Sequence, residues 1–388
     1  MKLFSVLFLF FVSGLAYAQN AMSVAPKHKI AIFTPLFLDQ AFSASGDYLY
    51  SGKSFPKNSI SGLEFYHGVS LAIDSLRKLN LPLEVYVYDS KSSSENLEQQ
   101  FSKCAADGVE LVIANCSLTD LTTLARLGLD KKITVINATV PNDADVKNNP
   151  YFVVLNPTLQ TQIEGIYKFI KSKYPGKPVT ILTRKDGTDK FIRGVFETLN
   201  KYYNKDIVIG FQEVNDDIAL KSLGATMQPG QKSLYVVGSL DAEFGSNVLK
   251  QLAANSKNFD SVTVVGMPTW EDLNFSNAEY DGVEIVYSTP FYNSRKDANS
   301  KSISGYYSKK MYARPSDLVF RAYGLAFKFC NMVNQYGKEV NKHLSDKTYH
   351  TFFDFDIQPV YSNGVLTHYE NKKLYFLKYY NENLTMVY

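Results

Sequence analysis

Two pairs of carboxylates are spaced for acid–base work. Asp354 and Asp356 alternate along an apparent strand, and Asp241 and Glu243 stand two apart just past another, so either pair could present both groups on one side. Solvated loop charge is the commoner fate of such pairs. The other reactive residue types form no catalytic pattern. Gly46 with Gly52-Lys53-Ser54 misses phosphate-loop spacing by one residue, and Pro56 would interrupt the helix that such a loop must open. Gly68-Val69-Ser70-Leu71-Ala72 has the letters of a nucleophile elbow but lies inside a helical pattern, where Ser70 is a surface residue. The five histidines, His28, His67, His343, His350 and His368, show no metal-ligand spacing. The three cysteines are too few for a disulfide framework, and Cys104 and Cys116 fall at opposite ends of one predicted strand, beyond bridging reach. No activated nucleophile, dinucleotide turn or metal cluster is left, so no cofactor is expected and an enzyme is the weaker class.

The polar residues that remain are organised by one stretch, residues 110–139. Leu111–Ala114 and Ile133–Ile136 are short apolar runs without polar alternation, as in parallel strands covered by helices on both faces. Between them Ser117 is a good N-cap with Asp120 three positions on, and Leu118, Leu121, Leu124 and Ala125 give one apolar helical face. In an open parallel sheet, ligands bind beyond the carboxyl ends of the strands, where helix N-termini present free N–H groups. Ser117, Thr119, Asn137 and Thr139 should therefore share one rim. As caps and turn residues they need no ligand, and this stretch alone leaves both readings open.

Around this unit the chain alternates strands and helices. Lys29–Pro35 is a strand feeding a long loop, 36–60; Gly62–Leu79 is a helix, Pro82–Asp89 a strand and Glu95–Ala106 a helix. After Asn149-Pro150 the pattern restarts, with strands at Tyr151–Leu155, Val179–Thr183, Ile207–Phe211, Leu234–Gly238, Val262–Gly266 and Val283–Tyr287. Helices follow at 302–312 and from Pro315, placed at N1, to Tyr336, and the tail reads as short β runs. The fold class is α/β, with two doubly wound, Rossmann-like lobes. Lobe 1 is expected over 27–155 plus 290–345 and lobe 2 over 156–289 plus 346–388.

Residues 1–18 read as a secretory signal peptide: Lys2 supplies charge, Leu3–Val12 the apolar core, and Ala16-Tyr17-Ala18 the cleavage site. The mature chain is expected to begin at Gln19, to be exported, and to lack a membrane anchor, since no cysteine follows the site and no later run is long enough to span a bilayer. With 41 Lys+Arg against 38 Asp+Glu and no basic run, nucleic acid is disfavoured as a partner. The 27 tyrosines and 26 phenylalanines suit either large cores or a cleft lined with stacking surfaces.

The order of these motifs resembles the type 1 periplasmic binding proteins, specifically the branched-chain amino-acid-binding group. The resemblance spans essentially the whole mature chain. It rests on Lys29-Ile-Ala-Ile-Phe-Thr-Pro-Leu, Gly62-Leu-Glu-Phe-Tyr-His-Gly-Val-Ser-Leu-Ala-Ile-Asp, Val85-Tyr-Val-Tyr-Asp89, Val112-Ile-Ala-Asn-Cys-Ser117, Val135-Ile-Asn-Ala-Thr139 and Asn149-Pro-Tyr-Phe. It implies two lobes joined by crossing strands, a small-molecule ligand trapped when they close, a periplasmic location and a membrane transporter permease as partner. Residue by residue, it implies that Ser117 or Thr119 and Thr139 hold an amino-acid carboxylate, and that Glu243, in Gly238-Ser-Leu-Asp-Ala-Glu243, pairs with the ligand ammonium.

The sequence departs from the family where an aromatic residue usually follows the strand Val179–Thr183. Here Arg184-Lys185-Asp186-Gly187-Thr188 stands instead, and Asp186 is placed among the ligand contacts. The glycine expected after the third strand is replaced by Ala114-Asn115. Trp270 either stacks on the ligand or plugs the sheet edge. The expected function is a non-catalytic solute-binding protein. One alternative is a ligand-less scaffold whose cleft is blocked by Tyr48, Tyr50 or Phe291, and another is a cleft hydrolase using one of the carboxylate pairs.

Overall fold

A computed structural model describes residues 26–50, 56–203, 206–226, 232–256, 261–276 and 278–388; the signal peptide expected at 1–18 and Gly52-Lys53-Ser54 lie outside the described residues. The first run comprises β1 (His28–Thr34), α1 (Leu38–Ala41), α2 (Ile60–Lys78), β2 (Leu83–Asp89), α3 (Leu97–Asp107), β3 (Leu111–Ala114), α4 (Leu118–Lys131), β4 (Thr134–Asn137) and β5 (Phe152–Val154). Local chemistry fixes the helix ends. Asn96 and Gln99 close a reciprocal capping box on α3, and Gly108, at φ 79°, ends it in the left-handed conformation that a side chain would strain. Strands β3 and β4 are buried along their whole length, as in a parallel sheet covered on both faces, with Thr134 and Asn137 at the ends of β4 buried too.

The second run comprises α5 (Leu159–Lys173), β6 (Val179–Thr183), α6 (Gly187–Tyr202), β7 (Ile209–Glu213), α7 (Asp217–Lys221), β8 (Ser233–Val237), α8 (Ala242–Ser256), β9 (Val262–Gly266) and β10 (Val283–Thr289). The chain then returns through α9 (Ala298–Tyr306), α10 (Asp317–Tyr336), β11 (Ile357–Ser362), β12 (Val365–Asn371), β13 (Tyr375–Tyr380) and β14 (Asn383–Met386). Three local expectations shift. β7 starts two residues later than expected, α9 starts earlier and continues into a π turn, Tyr307–Met311, and Pro315 lies before the N-cap Ser316 instead of at N1.

The strands form two seven-stranded sheets, ordered β11-β12-β5-β4-β3-β1-β2 and β14-β13-β10-β9-β8-β6-β7. Each is mainly parallel and lies between helices, so the α/β, two-lobe expectation holds. The tail is divided differently from the expected boundary at 346. β12 runs parallel to β5, with Tyr369 opposite Val153, and β11 pairs with β12, so both belong to the first sheet; only β13 and β14 join the second.

Three crossings join the lobes: β5 to α5, β10 to α9, and β12 to β13. β5, β10 and β12 all leave their sheets at carboxyl ends, and β13 enters beside the end of β10, with Tyr375 opposite Thr289. The carboxyl edges of both sheets therefore face the hinge. Topology reverses between β1 and β3 in one sheet and between β6 and β8 in the other, the crevices where open α/β sheets bind ligands. Cys104, Cys116 and Cys330 are buried and unbridged, and burial pushes their thiols up to about 11, 12 and 12. Among the described residues no helix is long and apolar enough to cross a membrane.

An ion pair on a buried carboxylate ties the β5–α5 and β12–β13 crossings together. Glu370, 2% exposed, accepts 2.7 Å from the Thr158 N–H and 2.6 Å from Lys372 Nζ, which also donates 2.7 Å to Thr161 Oγ1. Asn371 Nδ2 donates 3.2 Å to the Leu155 carbonyl, and its Oδ1 accepts from the Asp356 and Lys373 N–H groups. Burial pushes the Glu370 carboxyl up, but Lys372 and the Thr158 N–H override it and hold the group below the usual glutamate value of 4.5. A carboxyl depressed on folding stabilises the fold above its unfolded pKa, and that contribution is lost as pH falls below 4.5 toward the folded value. Glu370→Gln should cost about 2–4 kcal/mol at neutral pH, because the Lys372 charge loses its partner. Denaturant unfolding at several pH values checks this: the gap between wild type and variant should narrow as pH falls below the unfolded glutamate value.

Candidate functional site

At the first lobe's rim, Ser117 caps α4, its Oγ accepting from the Asp120 N–H at 3.3 Å. Ser117 and Thr119 are both exposed in the opening turn, where the unsatisfied helix N–H groups carry a partial positive charge. Asp120 in the same turn is neutralised by Lys91, 2.6 Å away. Thr139 is half-buried. Its hydroxyl donates 2.9 Å to Asn115 Oδ1, Asn115 Nδ2 donates 3.0 Å to Thr34 Oγ1, and Thr34 passes the chain to the Gly62 carbonyl at 3.4 Å. This relay crosses the β1/β3 switch point and fixes Asn115 where the family pattern has glycine. The Thr139 oxygen keeps lone pairs for a donor, but its proton is committed. Asn137 does not share the role expected of it. It is fully buried, and its amide closes the following turn by donating to the Val140 and Asn142 carbonyls and accepting from the Val140 N–H. Its polar atoms are occupied by its own backbone.

In the second lobe the switch point between β6 and β8 is filled by Arg184. Its Nη1 donates 2.8 Å to Asp241 and its Nη2 donates 2.8 Å to Asp186 and 3.1 Å to Ser239. Its Nε lies 3.4 Å from Asp189, its own N–H donates 2.8 Å to the same carboxylate, and the guanidinium lies over the Phe244 ring at 5.0 Å. Each acid also serves a helix. Asp186 caps α6 through the Asp189 N–H at 2.7 Å, and Asp241 accepts from the Phe244 N–H at 3.0 Å in the first turn of α8. Burial pushes the Asp189 carboxyl up even with Arg184 beside it, whereas the Phe244 N–H and Arg184 hold Asp241 below the usual carboxylate range. The arginine thus supplies the counter-charge for three carboxylates, a planar role that a lysine would fill poorly.

Glu243 is exposed in the first turn of α8, beside this web. Trp270 presents no stacking surface. It is fully buried in the short 3-10 turn Pro268–Asp272, and a Cβ placed on Gly266 would come within 2.0–2.4 Å of its ring, one on Gly245 within 2.5–3.0 Å. Two glycines make room for the indole, so Trp270 is a core plug with no face for a ligand. The carboxylate pairs also dissolve: Asp354 and Asp356 precede β11 and face His350 and Lys347, and Asp241 is spent on Arg184 and a helix turn. Among the described residues no group of three His, Cys, Asp or Glu could hold a metal.

One inter-lobe contact escaped the sequence reading. Arg321, on α10 of the first lobe, reaches both oxygens of Glu271 in the second at 3.1 and 3.2 Å, and its guanidinium lies 4.7 Å over the ring of Phe291 at the crossing from β10. Burial pushes the Glu271 carboxyl up in spite of Arg321. The partners stand 50 residues apart, and no local pattern announces the pairing.

No protein-family model matches this chain, and no curated protein matches it in sequence. Solved structures do match its shape. A Rhodospirillum rubrum protein named for a branched-chain amino acid ABC transporter superposes with a TM-score of 0.68 at 13% identity, covering 93% of this chain and 100% of that one. A branched chain amino acid ABC transporter periplasmic ligand-binding protein from Burkholderia xenovorans gives 0.61 at 15%, covering 93% and 95%. The C-domain of LpoA from Haemophilus influenzae, a regulator of PBP1A, gives 0.58 at 13%, covering 93% and 100%. These likenesses, with the sheet order above, show that the chain has the type 1 periplasmic binding fold.

The Arg184 web yields a direct test. Arg184→Ala leaves Asp189, whose side chain is 1% exposed, as a buried carboxylate without its counter-charge, and should cost about 3 kcal/mol. Adding Asp189→Asn should recover part of that loss, measured by denaturant unfolding in a double-mutant cycle. Additive losses would mean that the two side chains act independently.

Proposed function

We propose that this is an exported, non-catalytic solute-binding protein that closes its two lobes on a small zwitterionic ligand of the amino-acid class. One observation carries the reading: all crossings leave the strands at their carboxyl ends, so two rims of opposite polarity are turned to one hinge. The first offers the α4 N-terminus with the Ser117 and Thr119 hydroxyls, a setting for a carboxylate, and the Thr139 oxygen, whose free lone pairs suit the ligand ammonium. The second offers Asp186, Asp241 and Glu243 around a single guanidinium, a setting for an ammonium. Glu243 is the carboxylate best placed to serve the ligand, since Asp186 and Asp241 are already held by Arg184. Delivery to a membrane permease follows from the fold's transporter-linked neighbours and is part of the same proposal.

A second reading, a protein-interaction module of the same fold, is favoured by the Arg321–Glu271 bridge, which joins the lobes through side chains of the chain itself, and by the internal commitment of Thr139 and Asn137. Thermal unfolding against amino acids, short peptides, sugars and nucleobases separates the two. A ligand at about 100 times its dissociation constant stabilises the bound fold by roughly 2.7 kcal/mol, several degrees in midpoint. Amino acids should produce that shift, and Glu243→Ala and Thr139→Ala should each weaken binding by about 1–3 kcal/mol. A midpoint indifferent to every compound would favour the interaction module.

A further inference from the structure

We propose that the α9 end of the first lobe is a reversible docking surface for an anionic lipid bilayer, independent of what the cleft binds. Residues 298–316 contain Lys301, Lys309, Lys310 and Arg314 and no acid, whereas the whole chain carries a formal charge of only +3. All four cations are exposed, and none pairs with a described acid. The acids flanking the stretch are engaged elsewhere: Asp297 caps α9 through Ser300, and Asp317 pairs with Arg295 at 2.6 Å. The charge is spread along a helix and its turn, so no run shows in the sequence.

The same stretch carries exposed aromatic and thioether surface. α9 runs into the π turn Tyr307–Met311 and stops at Tyr312, a non-glycine residue in the left-handed region at φ 52°. Bulky residues rarely adopt that conformation, and such outliers concentrate at functional positions. Tyr312 is 92% exposed, with Tyr306 at 45% and Met311 at 38%. The buried Tyr307 ring holds the turn against α2 through an edge-on contact with His67 at 6.1 Å.

A protruding tyrosine flanked by lysines suits a deformable headgroup layer, where tyrosine rings settle and cations meet anionic lipid. A rigid protein partner would instead need a matching pocket for a ring that stands clear of its surroundings. The contact is electrostatic and interfacial, distinct from a membrane anchor.

Co-sedimentation of the full chain with vesicles tests this. The protein should pellet with vesicles of phosphatidylglycerol mixed with phosphatidylcholine, remain in solution with phosphatidylcholine alone, and release as salt rises. Lys309→Glu with Lys310→Glu should lower the partition coefficient about ten-fold or more, and Tyr312→Ala should also weaken it. Unchanged thermal midpoints should accompany both variants, because all three side chains are exposed. Equal pelleting with and without phosphatidylglycerol, or wild-type partitioning by the lysine variant, overturns the proposal. Retention on a polyglutamate matrix without vesicle binding also overturns it, and assigns the face to an acidic protein partner.

Discussion

The constraint on which this structure depends is that every strand passing between the lobes leaves at a carboxyl end. β5, β10 and β12 do so, and β13 enters beside β10 with Tyr375 opposite Thr289. Crossings at that edge turn both topological switch points toward the hinge, where helix N-termini and loop residues gather. The Glu370–Lys372 pair holds the crossings in place, spanning β12, the start of α5 and the entry to β13 within hydrogen-bond distance. Its burial makes it costly to break, so it acts as a fixed axle more than as a moving part.

The two switch points are finished differently. In the first lobe, Thr139, Asn115 and Thr34 pass hydrogen bonds across the crevice, and the helix start at Ser117 stays open to solvent. In the second, Arg184 draws three carboxylates together and leaves Glu243 outside the web. Rigid floors beneath one exposed helix start and one exposed carboxylate are what a closing two-lobe receptor needs, because binding energy is then not spent on ordering the site. The Arg321–Glu271 bridge adds a direct side-chain contact between the lobes.

Much of this was legible in the residues. The apolar runs at Leu111–Ala114 and Ile133–Ile136 announced buried parallel strands, found at Leu111–Ala114 and Thr134–Asn137, and Ser117 announced the helix between them, because burial and capping are local requirements. Sheet membership of the tail was not legible: a strand's alternation is the same whichever sheet receives it, and β12 joins β5 through a register of only Tyr369 and Glu370. Trp270 was ambiguous for a related reason, since its fate rests on Gly266 and Gly245, which the fold brings under the ring. Asn137 has a side chain that suits both a ligand contact and a turn, and here its amide closes the turn. Arg184 stood out as a departure from the family, but its partners Asp241 and Ser239 lie on the neighbouring strand's loop. Arg321 and Glu271 meet only because two lobes meet.

In the proposed mechanism the lobes close over a ligand held between the α4 and α8 helix starts. Spin labels on Leu118→Cys and Asn247→Cys report it directly, because both positions are exposed while the three native thiols are buried and poorly ionised. Double electron–electron resonance, recorded with and without a saturating mixture of proteinogenic amino acids, should show the inter-lobe distance distribution shortening and sharpening. An unchanged distribution would contradict ligand-driven closure, and would leave a fold whose lobes are held by Arg321 and Glu271 for contact with another protein.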